Sequence, residues 1–417
     1  MFADPVFSLA RSAWQSCGVR APSVLARYAA LTYLNRTSRR RRIRGLPTHA
    51  SVETQVPGGN DAAPMAERNG PLGDVVVPIY NNFDDTRALL SSLGRQGSSI
   101  GRIIILNDCS TDRRIAPLLK AFGDRQANAE VLENANNLGF VRTCNRGLAA
   151  SSQDCVILNT DIELPPNAIT RVLQVLQSSK EIATVTPFSN SAYAVGVPHL
   201  NYYNERPFGA ETTEVDACFQ ALRPLAPIVL PRGVGFCMAI SRQAIRRLGL
   251  FREYFGHGYG EEADFCLRAW KFGLRSVLAP HVYVFHKGGQ SFASAASRKA
   301  REGAIKFLAL HPDYVGAVAR YLRRGEARAV GFAAMLLLAR RISGRDVACF
   351  ELAKTSVDGV RRDMRAPELL IERDGNGVVV TLSLNAESHR FRFANSGLVE
   401  AAMLLVPQAT EAPTPLH

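Results

Sequence analysis

Residues 73–80 read Gly-Asp-Val-Val-Val-Pro-Ile-Tyr, a short and almost wholly apolar run. Such a run is typical of a strand that is buried on both faces of a parallel sheet. Three similar runs follow at residues 102–106, 130–132 and 155–158, with helical spacing between them. This alternation predicts βαβ units, and therefore an α/β, Rossmann-like fold with a mostly parallel sheet and flanking helices.

The stretches between these strands predict three helices. The first carries Leu89 and Leu90 on its inner side and has Asp84 or Asp85 as its cap. The others are expected near residues 112–122 and from about 141 to 150.

The N-terminal residues differ from the rest of the chain. Residues 1–44 are predicted to form two aromatic amphipathic helices followed by a basic cluster, Ser38-Arg-Arg-Arg-Arg-Ile-Arg44, and residues 45–72 read as a linker. The basic segment suits either an anionic membrane surface or a solvated tail. No apolar run approaches the ~20 residues that span a bilayer. We expect a cytoplasmic protein which, on the membrane interpretation, lies at the inner face of the cell membrane.

Residues 311–417 are predicted to form a small C-terminal α+β module. The chain looks helical from Tyr314 to about Leu352, with residues 330–339 as a buried helix. Asp374-Gly-Asn-Gly377 has the chemistry of a hairpin turn. No catalytic constellation is evident in this module, which leaves residues 73–310 as the main domain.

Charge and cysteine content narrow the classes of partner. The net charge is +13, and the eight cysteines are scattered without a CxxC pair. The charge indicates anionic partners, while the cysteines argue against a zinc site or a disulfide framework. Because the arginine cluster sits in one tail with no recognised nucleic-acid-reading fold behind it, we expect no nucleic-acid partner.

Polar clusters follow three of the predicted strands, at residues 80–82, 107–108 and 159–161. Ligands of open α/β sheets bind at the carboxyl ends of the strands, so these clusters are the first functional signal. The carboxylate of Asp108 could accept the ring N–H of a uracil or thymine. It could also cap the next helix, a task for which Asp112 is the better candidate.

Residues 134–140, Asn-Ala-Asn-Asn-Leu-Gly-Phe, enter a helix that carries Arg142 and Asn145. Backbone N–H groups at a helix N-terminus with a nearby arginine suit a diphosphate. An ordinary Asn/Gly turn explains the same residues equally well.

Oxygen ligands recur at alternate positions directly after the fourth strand, at Asn159, Asp161 and Glu163. Such groups suit Mg²⁺ or Mn²⁺, and a loop that caps the next helix is the alternative. His286 ends another apolar strand and could complete a metal site with Asp161. A structural histidine remains the alternative there.

Residues 256–269, GHGYGEEADFCLRA, place three carboxylates after a glycine-rich turn. An apolar face follows at helical spacing, formed by Ala263, Cys266, Leu267 and Trp270. The helix dipole and a pairing with Arg268 four residues on explain Asp264. Glu261 and Glu262 are less well explained, and the preceding glycines predict that both are exposed at a flexible mouth.

Taken in order, seven motifs resemble the inverting glycosyltransferases of family 2, in particular a rhamnosyl- and galactofuranosyltransferase-like group. They read VVVPIYNN, LNDCSTD, NANNLGFVRTCNRG, ILNTDIELP, RGVGFCMAI, GYGEEADFCLRAWKFG and VFHKGGQSF. The resemblance covers residues 73–310. It implies a GT-A fold, a nucleotide-diphosphate sugar as donor, and Mg²⁺ or Mn²⁺ as cofactor.

The resemblance also implies a role for each matching residue. The nucleotide would contact Pro78, Tyr80, Asn81, Asp108, Asn137 and Gly139. Asp161 and His286 would bind the metal, Gly233 and Gly235 would border the acceptor, and Glu262, with Glu261 beside it, would be the catalytic base. The sequence departs from the family pattern at Asn159, where many members have aspartate, and at Glu262, where aspartate is frequent.

The resemblance implies a metal-dependent inverting transfer of a hexosyl or deoxyhexosyl group. The donor would be a UDP- or dTDP-sugar, and the acceptor a hydroxyl of a glycan or a lipid-linked glycan in surface polysaccharide biosynthesis. Because Asn159 weakens the expected metal motif, a nucleotide-sugar-binding protein of the same fold without transfer activity is the alternative.

Overall fold

The computed structural model describes residues 70–97, 99–200, 203–255, 260–288, 305–346, 348–351, 366–374 and 377–407. The predicted N-terminal segment 1–44 and nearly all of the linker lie outside these residues. The described residues from Pro71 onwards belong to one compact unit. The proposed boundary at residue 310 therefore stays a prediction.

The centre of this unit is an eight-stranded sheet in the order β3-β2-β1-β4-β8-β6-β9-β7. Its strands are β1 Gly73–Ile79, β2 Ile100–Asn107, β3 Ala129–Glu133, β4 Cys155–Leu158, β6 Ile182–Phe188, β7 Ile228–Leu230, β8 Cys237–Ile240 and β9 Arg275–Tyr283. Strand β1 pairs in parallel with both neighbours, with Val76 opposite Ile104 on one side and Ile157 on the other. Its valines are fully buried, as the apolar run predicted.

Helices cover both faces of the sheet. They are α1 Phe83–Leu93, α2 Ile115–Arg125, α3 Phe140–Ala150, α4 Ala168–Gln177, α5 Thr212–Gln220, α6 Arg242–Leu248 and α7 Glu261–Lys271. One apolar layer contains Leu89 and Val172, and the other contains Val141 and Phe265. The predicted α/β class with a mostly parallel sheet and flanking helices is confirmed.

Strand β8 makes the sheet mixed, because it lies antiparallel between β4 and β6. Leu158 at the end of β4 faces Cys237 at the start of β8. The loop that precedes β8 is thereby carried to the carboxyl end of β4, where Asn159 donates its backbone N–H to the carbonyl of Phe236 at 2.9 Å. A short two-stranded ribbon, β5 Ile162–Glu163 with β10 Phe285–His286, lies outside the main sheet.

The C-terminal residues form an α+β module, as predicted. It contains α8 Tyr314–Arg324, α9 Glu326–Ser343, β11 Ala348–Glu351, β12 Glu368–Asp374, β13 Gly377–Leu384, β14 Glu387–Phe393 and α10 Ser396–Leu404. Residues 330–339 are buried within α9, and β12 pairs antiparallel with β13 at the predicted hairpin. The prediction of helix to Leu352 is wrong, because left-handed Gly344 ends α9 and the chain turns into β11. None of the described helices is long and apolar enough to span a membrane.

Candidate active site

The β5–β10 ribbon brings Asp161 and His286 together from positions 125 residues apart. His286 pairs with Ile162, and the Lys287 backbone N–H donates to the Asp161 carbonyl at 2.8 Å. The Asp161 Oδ2 and His286 Nε2 atoms lie 3.3 Å apart, with only 12% and 6% of the two side chains exposed. The structure therefore joins two residues that the sequence connected only through strand-end placement.

The surroundings of His286 determine which ring nitrogen carries a proton. Its Nδ1 lies 2.6 Å from the Ser191 carbonyl oxygen, which can only accept, so Nδ1 must donate. Its backbone N–H donates to Asn190 Oδ1 at 2.8 Å, and Phe236 stacks on the ring with centroids 5.1 Å apart. Held in this way, a neutral ring turns the lone pair of Nε2 toward Asp161.

A divalent cation fits this arrangement. The buried Nε2 makes no hydrogen bond with any described residue, since its contact with Asp161 has ion-pair distance without hydrogen-bond geometry. A lone pair facing a carboxylate is repulsive unless a proton or a cation lies nearby. Histidine ligands of metals commonly donate their other ring N–H to a carbonyl, as Nδ1 does here.

The ionisation of Asp161 suits the same role. Burial by itself raises the pKa of this carboxyl group, but the His286 ring beside it and backbone groups including Gly288 outweigh burial and lower the pKa below its usual value. Asp161 is therefore a carboxylate at neutral pH. An ionised oxygen ligand is what Mg²⁺ and Mn²⁺ prefer.

Few other groups are available to a metal at this place. Among the described residues, no three His, Cys, Asp or Glu side chains are placed to hold a metal ion together. Glu163, which the sequence put in the same oxygen-rich stretch, pairs instead with Arg206 at 2.7 Å. A cation here would take Asp161 and His286 from the protein and its remaining ligands from substrate and water.

Glu262 lies in the first turn of α7 and faces the loop 232–236. Its Oε1 is 3.2 Å from Nη1 of buried Arg232, and 17% of the glutamate side chain is exposed. A Cβ atom on Gly235 would lie 3.9 Å from Glu262 Cγ, so this predicted acceptor-side glycine adjoins the predicted base. Arg232 also stacks over the Tyr193 ring at 4.8 Å, which fixes the guanidinium that holds Glu262.

Gly233 is packed inward, where its N–H donates to Cys266 Sγ at 3.1 Å. The prediction that both glutamates are exposed is wrong for Glu261, which is 4% exposed. The helix begins directly at Glu261 and turns this residue toward the interior. Only Glu262 is therefore open to a substrate that enters from solvent.

Asp264 is helix structure, as predicted, but it does more than pair with Arg268. Its Oδ2 accepts from Arg268 Nε at 2.8 Å, while its Oδ1 lies 2.9 Å from His311 Nε2 and 3.3 Å from Arg252 Nη1. The carboxylate is fully buried. No local pattern could have shown His311, which lies 47 residues further along the chain.

The carboxylate of Asp108 organises the loop between β3 and α3. Oδ1 accepts from the Leu138 N–H at 2.7 Å and from Asn134 Nδ2 at 2.7 Å, and Oδ2 accepts from the Gly139 N–H at 2.9 Å. Asn137 Oδ1 also accepts from the Gly139 N–H, at 3.1 Å. The expected nucleobase contact of Asp108 thus competes with bonds inside the protein, and it stays a prediction.

Asn81 ties the ends of β1 and β2 together. It adopts a left-handed conformation, with φ 58°, and its Oδ1 accepts from the N–H groups of Thr111 at 2.8 Å and Asp112 at 2.9 Å. Tyr80 beside it is 49% exposed, and Pro78 is half-buried in β1. Of these three predicted nucleotide contacts, Tyr80 offers the largest free surface.

Two further predicted nucleotide residues contact the segment 251–253. Arg142 Nε donates to Glu253 at 2.7 Å, with both side chains more than half exposed. The Asn145 amide donates to the Phe251 carbonyl at 2.9 Å and accepts from the Phe251 N–H at 3.0 Å. Asn145 is therefore a structural bridge in this structure, while Arg142 keeps an accessible guanidinium.

Lys287 was missed by sequence reasoning, although it lies beside His286. Its Nζ is 2.7 Å from Asp85 Oδ1, so Asp85 forms an ion pair rather than capping α1. Asn82, which stands at the cap position, makes no side-chain cap bond. Arg232 and Asn190 were also missed, because their importance comes from contacts across the fold.

Comparison with known proteins supports one family. Residues 74–249 match the model described as Glycosyl transferase family 2. An uncharacterized glycosyltransferase of Haemophilus influenzae is 32% identical over 109 residues, which is 26% of this chain and 35% of the relative. The uncharacterized glycosyltransferase YibD of Escherichia coli is 32% identical over 93 residues, or 22% of this chain and 26% of the relative. The chain thus spans about a third or less of the length of these two relatives.

Among solved structures, the mannosyltransferase PcManGT from Pyrobaculum calidifontis, in complex with GDP-Man and Mn²⁺, is a partial match. It is 16% identical, with a TM-score of 0.45 over 65% of this chain and 76% of that one.

Proposed function

We propose, from the premise that residues 74–249 belong to glycosyl transferase family 2, that this chain transfers a sugar from a nucleotide-diphosphate donor to an acceptor hydroxyl. The observation that carries the proposal is the loop 232–236. Its Arg232 and Gly235 adjoin Glu262, and its Phe236 stacks on His286. One short loop therefore separates a reachable carboxylate from a pair suited to a metal.

In the proposed reaction Glu262 acts as the general base. Its carboxylate takes the proton of the acceptor hydroxyl while the hydroxyl oxygen forms a bond to the anomeric carbon. The bond from that carbon to the diphosphate oxygen breaks in the same step, which inverts the configuration. Arg232 holds the Glu262 carboxylate in place, and buried Glu261 shapes the first turn of α7.

Asp161 and His286 would hold Mg²⁺ or Mn²⁺ at the other end of the loop. A bound divalent cation supplies charge neutralisation for the departing nucleotide diphosphate. Asp161 contributes an ionised oxygen, and His286 contributes the Nε2 lone pair that Ser191 and Asn190 orient.

The proposed donor is a UDP- or dTDP-linked hexose or deoxyhexose. The proposed acceptor is a glycan or a lipid-linked glycan in surface polysaccharide biosynthesis. The net charge of +13 suits a nucleotide diphosphate. Binding of residues 1–44 to an anionic membrane would bring the site to a lipid-linked acceptor.

The direct test is nucleotide release from a panel of UDP- and dTDP-sugars with Mg²⁺ or Mn²⁺. We expect Glu262→Gln to lower kcat by about 10²–10⁴-fold, because the amide cannot take the proton. Asp161→Asn should cost about 10²–10³-fold, as for loss of one charge-stabilising group, and EDTA should abolish turnover. Glu261→Gln should affect the rate less than Glu262→Gln.

Glu163→Gln is the matched control, because this carboxylate lies two residues from Asp161 but pairs with Arg206. It should keep near wild-type kcat. Wild-type rates in both Glu262→Gln and Asp161→Asn would contradict the mechanism.

A second candidate is a protein that binds a nucleotide sugar without transferring it. It is favoured by the two-residue metal site, in which Asn159 replaces an expected aspartate. Calorimetry that detects UDP binding, together with no nucleotide release across the donor panel, would support this candidate.

A further inference from the structure

A cavity of about 530 Å³ lies between the main domain and the C-terminal module. One wall comes from His199, Asn204 and Glu205, and the other comes from the turn between β13 and β14 and the start of β14. These two segments are separated by some 180 residues in the sequence, so the cavity exists only when the module is docked.

Six of the seven described lining residues have polar side chains, and the lining carries an excess of negative charge. It contains two carboxylates, two carboxamides and two imidazoles, from Asn204, Glu205, Asn385, Glu387, His199 and His389. Burial lowers the pKa of both His199 and His389 below the usual value of a histidine, so both rings are neutral at pH 7. No lysine or arginine occurs among the described lining residues. Such a lining repels phosphate and carboxylate groups but offers many partners to hydroxyl groups.

Contacts within the protein hold the side chains of the cavity wall that the C-terminal module supplies. Glu387 Oε1 lies 2.7 Å from His389 Nε2 and accepts from the Phe208 N–H at 3.1 Å. The Phe208 ring meets the His389 ring edge-on at 4.9 Å, and His199 lies 5.9 Å from His389. Fixed polar groups beside ring surfaces are features of small-molecule sites, where the polar groups set orientation and the rings supply contact area.

A short chain of hydrogen bonds connects the cavity with the candidate active site. Asn204 Nδ2 donates to the Asn190 carbonyl at 2.7 Å, and Asn190 Nδ2 donates to the Asn204 carbonyl at 2.8 Å. Asn190 Oδ1 then accepts from the His286 backbone N–H at 2.8 Å. Asn204, which lines the cavity, is therefore connected to the predicted metal ligand His286 through one intervening residue, Asn190.

From these contacts we propose that the cavity binds a neutral sugar unit of the acceptor, next to but distinct from the sugar that receives the transferred group. The proposal that the bound sugar belongs to the acceptor rests on the proposed function. The proposal that the cavity binds a neutral sugar rests on the cavity alone. Its consequence is that the C-terminal module selects extended acceptors over single sugars.

Glu205→Ala is the test variant, because Glu205 is exposed and its loss should not disturb the fold. Glu400→Ala is its control, since Glu400 is an exposed carboxylate on α10, outside the cavity lining. Saturation-transfer NMR with neutral di- and trisaccharides of glucose, galactose, mannose and rhamnose measures binding without any reaction. We expect signal with at least one saccharide for the wild-type chain and Glu400→Ala, and a strong loss for Glu205→Ala.

The kinetic arm compares that saccharide with its monosaccharide as acceptor. Loss of a hydrogen bond to a charged group should raise KM for the longer acceptor by about tenfold and leave the monosaccharide value unchanged. Equal KM values in wild type and Glu205→Ala, preference for phosphorylated or sulfated saccharides, or no saturation transfer to the wild-type chain would overturn the proposal. Absence of nucleotide release would contradict the proposed function instead, and the NMR arm would still decide whether the cavity binds sugar.

Discussion

Two regions of the molecule carry the candidate site, and they are held in different ways. The strand-end region, residues 79–82, 107–112 and 134–139, is held by its own side chains, with Asn81 and Asp108 bonding to nearby backbone. The clasped segment, residues 189–200 and 203–205, bonds within itself, as Asn190 does with Asn204, and is in addition held by the C-terminal module. Tyr321 in α8 donates its hydroxyl to the Ala194 carbonyl at 2.7 Å, and a Cβ atom on Gly331 in α9 would lie only 2.5 Å from Val197 Cγ1.

This difference indicates that the C-terminal module supports one half of the candidate site through its contacts with residues 194 and 197. The clasped segment supplies the Ser191 and Asn190 oxygens that fix His286, and it lies within the family match at residues 74–249, while its clasp lies beyond residue 310. The strand-end region needs no such support. Disturbing the contacts of the C-terminal module should therefore affect the clasped segment and leave the strand-end region unchanged.

The largest effect is expected from Asp264→Asn, which breaks the link between α7 and His311. An amide in place of the carboxylate leaves the Arg268 guanidinium buried without its charge partner, at a cost of about 3–5 kcal/mol in the free energy of unfolding. Urea denaturation measures it. Asp124→Asn is the control, because Asp124 forms an exposed pair with Lys120 and should change stability by less than about 0.5 kcal/mol.

The same variant has a defined pH signature. Burial by itself raises the pKa of Asp264, but the bonds from His311 and Arg268 outweigh it, so the folded-state pKa lies below the usual 3.8. Its stabilising contribution is complete above pH 3.8 and is lost as the pH falls through the folded value. Wild type should therefore lose stability more steeply than Asp264→Asn in acid. Parallel curves of stability against pH for the two proteins would show that the Asp264 carboxylate does not stabilise the fold through His311 and Arg268.

A smaller effect is expected from Tyr321→Phe in the clasp. The change removes the Tyr321 hydrogen bond to the Ala194 carbonyl, which should cost about 0.5–1.5 kcal/mol in the free energy of unfolding and weaken metal-dependent turnover while UDP binding stays unchanged. Tyr283→Phe is the matched control, because the buried Tyr283 hydroxyl has no hydrogen-bond partner among the described residues. Its removal should be neutral or stabilising. Loss of UDP affinity in Tyr321→Phe would contradict the separation of the two regions.

The smallest effect on stability is expected from Arg142→Ala, in α3 directly after the strand-end region. The exposed pair with Glu253 contributes little, so unfolding should change by less than about 0.5 kcal/mol. If Arg142 contacts the diphosphate as predicted, the Kd for UDP should rise about fivefold, which corresponds to about 1 kcal/mol. Glu253→Gln frees Arg142 and should not weaken UDP binding, as isothermal calorimetry can check. Wild-type affinity in Arg142→Ala would remove this residue from the nucleotide site.

Local sequence patterns predicted the helices and strands better than the contacts that these elements make with one another. The run Val75–Val77 indicated a buried strand, and the spacing of Ala263, Cys266 and Leu267 indicated one face of a helix. The pairing of Asp264 with Arg268 was also predictable, since residues four apart meet on a helix. The burial of Glu261, the antiparallel insertion of β8 and the end of α9 at Gly344 were not, because each depends on what packs against the element.

The sequence by itself determined the α/β class and the strand-end clusters, which follow from periodicity. It also made Asp161, His286 and Glu262 candidates, through motifs whose order resembles the family 2 glycosyltransferases. Only the tertiary structure decided that His286 presents its Nε2 to Asp161, that Glu262 is more accessible than Glu261, and that His199, Asn204 and Glu205 line a cavity together with the β13–β14 turn. These are contacts between residues tens to hundreds of positions apart. Their formation depends on the packing of whole elements, which a local pattern does not record.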